Sequence, residues 1–137
     1  MPGEVSTKPR VLVVDDDPRV LKSLQRLLQD ECEVHCVDSP AEALSLATSE
    51  SFEVILTDFK MPLMTGAEFA HAVKERVTPA PSIIMLTGTP DSVTHATPGS
   101  QDLVLVMAKP FDPARLLRMV VQVGRLGVQR RVAGSAA

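Results

Sequence analysis

The sequence predicts an α/β fold, a doubly wound parallel sheet with helices on both of its faces. Two observations support this prediction: strand and helix patterns alternate along the chain, and most of the strands are continuous apolar runs. Alternating elements favour parallel strands joined by right-handed crossovers, and such strands are buried on both faces. The chain has 137 residues, 45 % of them hydrophobic, which is enough for one globular domain.

The five predicted strands are short runs rich in Val, Ile and Leu. The second alternates polar and apolar residues, which is typical of an edge strand, whereas the others are nearly continuous apolar runs that fit the interior of a sheet. In chain order the predicted strands cover residues 11–14, 33–37, 54–57, 83–86 and 103–107.

Four predicted helices begin at residues suited to the N-cap position. Asp17 and Asp112 each precede a proline, whose fixed φ suits the first helical position, so Asp17 is expected to be structural. Ser39 and Thr65 are each followed three residues later by a glutamate, which is the capping-box pattern. Apolar residues three and four apart give the helices buried stripes. The last helix is expected to end before Gly124.

The segment between the fourth and fifth strands fits this pattern badly. Residues 88–102 read GTPDSVTHATPGSQD, which is rich in Thr, Ser, Pro and Gly. Thr89 and Pro90 suit a helix start, but Pro98 and Gly99 end a helix within about two turns. The helix in this segment is therefore expected to be short or irregular.

Composition excludes several classes of function. A formal net charge of −3 gives no electrostatic case for binding nucleic acid or anionic membrane, and the basic cluster at Arg125, Arg130 and Arg131 is too small to change that. No apolar run approaches the roughly 20 residues that span a bilayer. The polar N-terminus does not resemble a signal peptide, so a cytoplasmic location is expected.

Cys32 and Cys36 are the only cysteines in the chain. With His35 they offer three donors to a metal, but no second Cys/His cluster completes a zinc site. In an alternating strand, residues 32, 34 and 36 share one face, so the two cysteines are expected to be ordinary thiols.

Polar side chains follow four of the predicted strands at the point where each strand ends. They are Asp15 and Asp16, Asp58, Thr87 and Lys109. In an open parallel sheet, ligands bind beyond the carboxyl ends of the strands, so these groups are expected to meet. Three carboxylates would repel one another without a metal, and together with a hydroxyl and an ammonium they suit a magnesium ion and a phosphoryl group.

Four motifs in this order resemble the receiver domain of two-component response regulators, the chemotaxis-receiver-like family. They are VLVVDDDP at 11–18, TDFKMPLMTG at 57–66, MLTG at 85–88 and AKPF at 108–111. The resemblance implies a flavodoxin-like five-stranded sheet in the order 2-1-3-4-5. It also implies a flexible N-terminus at 1–9, a receiver domain at 10–124 and a C-terminal tail or start of a linker at 125–137.

The resemblance implies a metal site and a phosphoacceptor. Asp58 matches the phosphoacceptor, and Asp15 and Asp16 match the acidic pair that holds a divalent ion together with Asp58. The backbone carbonyl of Lys60 matches a further ligand. The implied ion is Mg²⁺, with Mn²⁺ as the alternative.

The resemblance also implies a switch and partners. Thr87 matches the switch hydroxyl, and Lys109 matches the lysine that pairs with the phosphoryl group. The implied donor is a histidine kinase or a phosphotransfer protein, and the protein would catalyse only its own phosphorylation and dephosphorylation. The output would be a downstream protein or a C-terminal domain beyond this chain, and a weak homodimer stays open.

Two positions depart from the family pattern and leave alternatives open. Val106 stands three residues before Lys109, where the family usually has an aromatic switch residue. Lys60 lies two positions after Asp58, where it would either reach the phosphoryl group or face solvent. A pseudo-receiver that binds or dimerises without phosphorylation is the alternative function. A magnesium-dependent phosphatase is disfavoured, because its DxD motif would close the first strand rather than the third.

Overall fold

The computed structural model describes residues 8–88 and 105–136. Within these ranges the chain forms five strands and four helices. The strands are β1 Arg10–Val14, β2 Glu33–Val37, β3 Val54–Asp58, β4 Ser82–Thr87 and β5 Leu105–Ala108. The helices are α1 Pro18–Leu28, α2 Pro40–Ser49, α3 Gly66–Arg76 and α4 Pro113–Ala136. Most of the predicted helix in 88–102 and the first two residues of the predicted fifth strand lie outside the described residues.

The strands form one parallel sheet in the order β2-β1-β3-β4-β5. This order confirms the predicted doubly wound, flavodoxin-like architecture, with β2 at one edge. The register aligns the carboxyl ends of the strands: Val14 pairs with Thr57, Asp58 with Leu86, and Thr87 with Ala108. Side chains that follow these positions therefore start from one edge of the sheet.

Each face of the sheet is covered by two of the helices in the described ranges. On one face, α1 and α4 bury Leu24, Leu28, Leu116 and Val120 against alternate residues of the central strands. On the other face, α2 and α3 bury Ala43, Ala47, Phe69, Ala70 and Val73. All four residues 11–14 are fully buried, which explains why β1 is a continuous apolar run.

The helices begin at the predicted caps. Asp17 Oδ1 accepts a hydrogen bond from the Arg19 backbone N–H at 2.9 Å, and Asp112 Oδ1 accepts one from Ala114 N–H at 3.1 Å. Thr65 and the glutamate three residues later form a complete capping box, with bonds of 3.1 and 3.0 Å. Ser39 forms one half of the predicted box, because its Oγ accepts the N3 backbone N–H at 3.1 Å. These bonds satisfy N–H groups that a helix start leaves unpaired.

The last helix is longer than the sequence pattern indicates. It continues to Ala136, so the prediction that it ends before Gly124 is wrong. Gly124 and Gly127 lie where this helix passes close to the sheet: a Cβ at Gly124 would lie 2.6 Å from Pro9 Cβ, and one at Gly127 would lie 3.0 Å from Glu53 Cβ. Close packing at glycine outweighs the low helix propensity of that residue. The tail or linker role of residues 125–137 stays a prediction.

The two cysteines pack as ordinary core thiols. Cys32 and Cys36 belong to the cluster beneath α1, where burial raises the pKa of Cys32 to about 11 and raises that of Cys36. His35 is on the opposite side of β2, with its ring edge-on to Phe52 at a centroid distance of 5.5 Å. The three donors therefore do not share one face, which argues against a metal site there.

Candidate functional site

The carboxyl edge of the sheet holds the predicted carboxylates at the point where the strand order reverses. The chain passes from β1 outward to β2 and then returns across β1 to β3, so a crevice opens beyond β1 and β3. Asp15 and Asp16 follow β1, and Asp58 is the last residue of β3. One oxygen from each of the three carboxylates lies within 4.8 Å of the others. Within the described ranges this is the one group of three or more metal-ligating side chains.

Lys109 joins this cluster from beyond β5. Its Nζ donates to Asp15 Oδ2 at 3.0 Å and to Asp58 Oδ1 at 3.2 Å. The hydrogen bonds connect residues 94 and 51 positions apart in the chain. The structure thus brings four of the predicted site residues together.

The three adjacent aspartates after β1 occupy three different environments. Asp15 is 2 % exposed, and its Oδ1 accepts the Asp17 backbone N–H at 2.8 Å. Asp16 is exposed beside the cluster, and Asp17 caps α1. The predicted separation of two site carboxylates from one structural carboxylate is therefore consistent with this geometry.

The electrostatics of the cluster favour an additional cation. Burial raises the pKa of Asp58; Lys109 opposes this shift, and the neighbouring Asp15 adds to it. Burial alone would lower the pKa of Lys109, but its bonds to Asp15 and Asp58 outweigh burial and raise it. One ammonium faces three carboxylates, so two negative charges remain in excess. Oxygen donors with this charge excess suit a hard divalent cation such as Mg²⁺.

Thr87 ends β4 next to this cluster and is 2 % exposed. It lies one position beyond the residue that pairs with Asp58, and its carbonyl oxygen accepts the Lys109 backbone N–H at 2.7 Å. The backbone of Thr87 is thus tied to the residue whose ammonium contacts Asp58. The switch role of its hydroxyl stays a prediction.

Gly66 has a role at the site that the sequence pattern does not reveal. A Cβ at this position would collide with the carbonyl oxygen of Asp58 and would lie 3.1 Å from Met85 Cε. The Gly66 N–H donates to the Phe59 carbonyl at 2.8 Å, which closes the loop after β3. The sequence places this glycine in the capping-box segment, but only the fold shows that it packs against the backbone of Asp58.

Two positions that depart from the family pattern lie near the site. Lys60 is exposed in the loop after β3, as one of its two predicted alternatives requires. Val106 is a half-buried residue of β5 that pairs with Met85. The ligand role of the Lys60 carbonyl stays a prediction.

The doubly wound sheet carries a carboxylate–lysine cluster at its switch point, and sequence comparison identifies the family of the chain. The family sequence model of the response regulator receiver domain matches residues 11–121 of this chain. The chain belongs to this family and is a receiver domain of the response regulator type, a signalling module of two-component systems. The predicted family is therefore confirmed.

Individual response regulators resemble this chain in sequence and in structure. A response regulator receiver protein of Anaeromyxobacter sp. (strain Fw109-5) is 33 % identical over 109 residues, which are 79 % of this chain and 45 % of that protein. This chain therefore spans less than half the length of that relative. The chemotaxis response regulator CheY4 of Vibrio cholerae superimposes with a TM-score of 0.73 and 33 % identity, covering 85 % of this chain and 98 % of that structure.

A third similarity covers nearly the whole chain. The signal receiver domain of an HD domain-containing protein from Pseudomonas fluorescens Pf-5 superimposes with a TM-score of 0.80 and 25 % identity. The match includes 94 % of this chain and 96 % of that structure. Among the described helices, none combines the length and apolar character required to cross a membrane.

Proposed function

We propose that this receiver domain is phosphorylated on Asp58 in a Mg²⁺-dependent reaction, with a histidine kinase or a phosphotransfer protein as the donor. One observation carries the proposal: the Asp58 carboxylate is half-buried at the switch point, next to the Lys109 ammonium and to two further carboxylates. Family membership supports the same reaction. Carboxylates held in excess of cations are suited to a cation and a phosphoryl group rather than to a structural ion pair.

The chemistry is a displacement at phosphorus. An Asp58 oxygen forms a bond to the phosphorus while the bond to the donor histidine nitrogen breaks, and the electron pair of that bond remains on the nitrogen. The product is an aspartyl phosphate. Both reacting groups are anionic, so Lys109, 3.2 Å from Asp58, contributes by neutralising charge that the reaction concentrates there.

The metal ligands in this proposal are carboxylates that the fold already holds together. Asp15, Asp16 and Asp58 would bind Mg²⁺, and the backbone carbonyl of Lys60 is the further proposed ligand. When bound, the ion would supply positive charge between the carboxylates and the phosphoryl oxygens. Asp15 is positioned for this role by the Asp17 N–H, which fixes one of its oxygens.

The proposed switch uses Thr87 and Lys109. Phosphorylation adds about 2 negative charges at Asp58, and the Thr87 hydroxyl would donate to one of the new oxygens. Because the Thr87 carbonyl is bonded to the Lys109 N–H, movement at the end of β4 would be transmitted to the end of β5. Val106 has no ring to change rotamer, so this switch would operate without an aromatic residue on β5. The output domain or output protein lies outside this chain in the proposal.

Intact mass spectrometry tests the phosphoacceptor directly. The wild-type chain, incubated with acetyl phosphate and Mg²⁺, is expected to gain the mass of one phosphoryl group, and a chelator should prevent the gain. Asp58→Asn should gain nothing, whereas the matched surface variant Asp30→Asn should react like the wild type. A wild-type chain that gains no mass would favour a pseudo-receiver, and equal gain by Asp58→Asn would place the phosphoryl group elsewhere.

A further inference from the structure

Leu63 is an exposed apolar residue in an unusual backbone conformation. Its relative exposure of 105 % is the highest among the large hydrophobic residues in the described ranges. Its φ of 74° lies in the left-handed region, and no other non-glycine residue within the described ranges has a positive φ. A branched apolar side chain is disfavoured there, since Asn, Asp and Gly are the residues that adopt this conformation readily.

The loop that carries Leu63 is fixed on both sides. Met61 and Met64 pack against the core between the sheet and helices α2 and α3. The Gly66 N–H donates to the Phe59 carbonyl at 2.8 Å, so the loop is closed by a backbone hydrogen bond. Unfavourable backbone conformations persist where the surrounding structure determines them. Leu63 is therefore held outside by a defined turn.

This turn lies beside the carboxylate cluster. Gly66 packs against the backbone of Asp58, and Leu63 is three residues before Gly66. Three residues span at most about 11 Å between Cα atoms, so Leu63 lies within that distance of the contact with Asp58.

The other large apolar side chains described as exposed lie far from this turn. Leu126 and Val132, with relative exposures of 48 % and 45 %, belong to the half of α4 that passes Pro9 and Glu53 at the opposite edge of the sheet. Within the described residues, Leu63 is thus the large hydrophobic side chain that is exposed at the edge of the site.

We propose that Leu63 anchors the protein phosphodonor, by entering an apolar pocket next to the phosphohistidine of that donor. This inference rests on the proposed phosphorylation of Asp58. A donor must bring its phosphorus to bonding distance of Asp58, and an ordinary interface of about 800 Å² per partner extends roughly 16 Å from its centre. Such an interface covers Leu63. Residues that lose water in well-packed pockets near the centre of an interface contribute most to binding, and a leucine placed there contributes through the apolar surface that it buries.

Two phosphodonors of different size separate recognition from chemistry. Acetyl phosphate is too small to contact Leu63 while it reacts, whereas a protein donor covers it. The protein probe is the fastest donor in a panel of purified proteins from the source organism: histidine kinases autophosphorylated with ATP, and phosphotransfer domains phosphorylated by those kinases. Leu63→Asn removes the apolar surface and suits the left-handed backbone, while Leu63→Met keeps an apolar side chain in the same backbone. Leu126→Asn is the matched control at the far edge.

We expect all three variants to react with acetyl phosphate at the wild-type rate. Phosphotransfer from the protein donor should fall about five-fold or more for Leu63→Asn, the effect of truncating one of the minority of interface residues that contribute measurably to binding, and should be retained by Leu63→Met and Leu126→Asn. Unchanged transfer to Leu63→Asn would overturn the inference, as would an equal fall in both reactions. The inference would also be overturned if acetyl phosphate phosphorylated the wild-type chain while none of the phosphohistidine proteins in the panel did. A wild type inert to every donor would instead refute the phosphoacceptor proposal, and this inference with it.

Discussion

The two edges of the sheet both bury acidic groups, but they balance the charge differently. At the amino edge, the buried Glu53 forms an ion pair with a guanidinium, because Arg131 Nε lies 2.9 Å from Glu53 Oε1. Glu53 Oε2 also accepts the Arg10 backbone N–H at 3.0 Å. The neighbouring Glu33 and Glu50 share the Arg10 guanidinium and are substantially exposed, so water solvates them as well.

At the carboxyl edge, a single ammonium forms ion pairs with two carboxylates, one buried and one half-buried. Lys109 contacts both Asp15 and Asp58, and the exposed Asp16 adds a third carboxylate nearby. We interpret the charge-balanced cluster as structural and the unbalanced cluster as the proposed site. A buried acid that is paired with a cation destabilises the fold when that cation is removed, whereas buried acids in excess of cations favour the binding of an additional positive charge.

The largest effect is expected when the single cation of the carboxyl edge is removed. Lys109→Met should slow phosphorylation by acetyl phosphate about 10²-fold, because an aligned positive charge no longer stabilises the reacting oxygens. The measurement is the rate of mass gain at saturating Mg²⁺, with the exposed Lys22→Met as control. A wild-type rate in Lys109→Met would mean that Lys109 has only a structural role.

The corresponding change at the amino edge should affect stability without affecting the reaction. Arg131→Met leaves the Glu53 carboxylate buried without this partner, and because Arg131 is itself partly exposed we expect a loss of about 1–3 kcal/mol in the free energy of unfolding. Urea unfolding measures the loss, and the exposed neighbour Arg130→Met is the matched control. A slower reaction with acetyl phosphate in Arg131→Met would contradict the separation of the two edges.

Substitutions of the adjacent Asp16 and Asp17 after β1 should affect different properties, Mg²⁺ binding and the free energy of unfolding respectively. Asp17→Ala removes the N-cap of α1 and should lower the free energy of unfolding by about 0.5–2 kcal/mol. Asp16→Ala should instead weaken Mg²⁺ binding, because it removes one of three clustered carboxylates. Thermal unfolding with and without Mg²⁺ separates the two effects. Equal loss of the Mg²⁺-dependent stabilisation in both variants would refute this assignment.

The smallest effect is expected on the free energy of unfolding of the metal-free protein, in which the excess negative charge destabilises the ionised form of Asp58. Burial raises the pKa of Asp58 above its ordinary 3.8, so the folded state binds this proton more tightly than the unfolded chain does. The ionised carboxylate therefore lowers stability above the raised pKa, and the penalty disappears as the pH falls toward 3.8. Asp58→Asn should be more stable than the wild type at pH 7 by about 1 kcal/mol or less.

The pH dependence provides the control for this last prediction. The difference between Asp58→Asn and the wild type should shrink as the pH falls, whereas Asp30→Asn, on an exposed residue, should show no comparable trend. Urea unfolding in metal-free buffer over this range measures both variants. An Asp58→Asn variant that is less stable than the wild type at pH 7, with a deficit that shrinks as the pH falls, would mean that the folded protein stabilises the ionised form of Asp58.

The sequence by itself determined the elements of this fold and the composition of its site. Continuous apolar runs, caps such as Asp17 and Thr65, and apolar spacings of three and four are local properties, and they correctly predicted the presence of each strand and the start of each helix in the described ranges. The strand-end positions of Asp15, Asp58 and Lys109 predicted that these groups would meet, because parallel strands share one carboxyl edge.

Tertiary structure decided what depends on contacts between distant segments. Gly124 and Gly127 lower helix propensity locally, yet α4 continues because those glycines let it pack against Pro9 and Glu53. The exposure of Leu63 likewise follows from how its neighbours are anchored in the core, which no periodicity encodes. Local patterns fix which elements form, since their energies depend on adjacent residues. The end of α4, the balance of charges at each edge of the sheet and the exposure of Leu63 depend on packing between distant residues. The chain brings those residues together only when it folds.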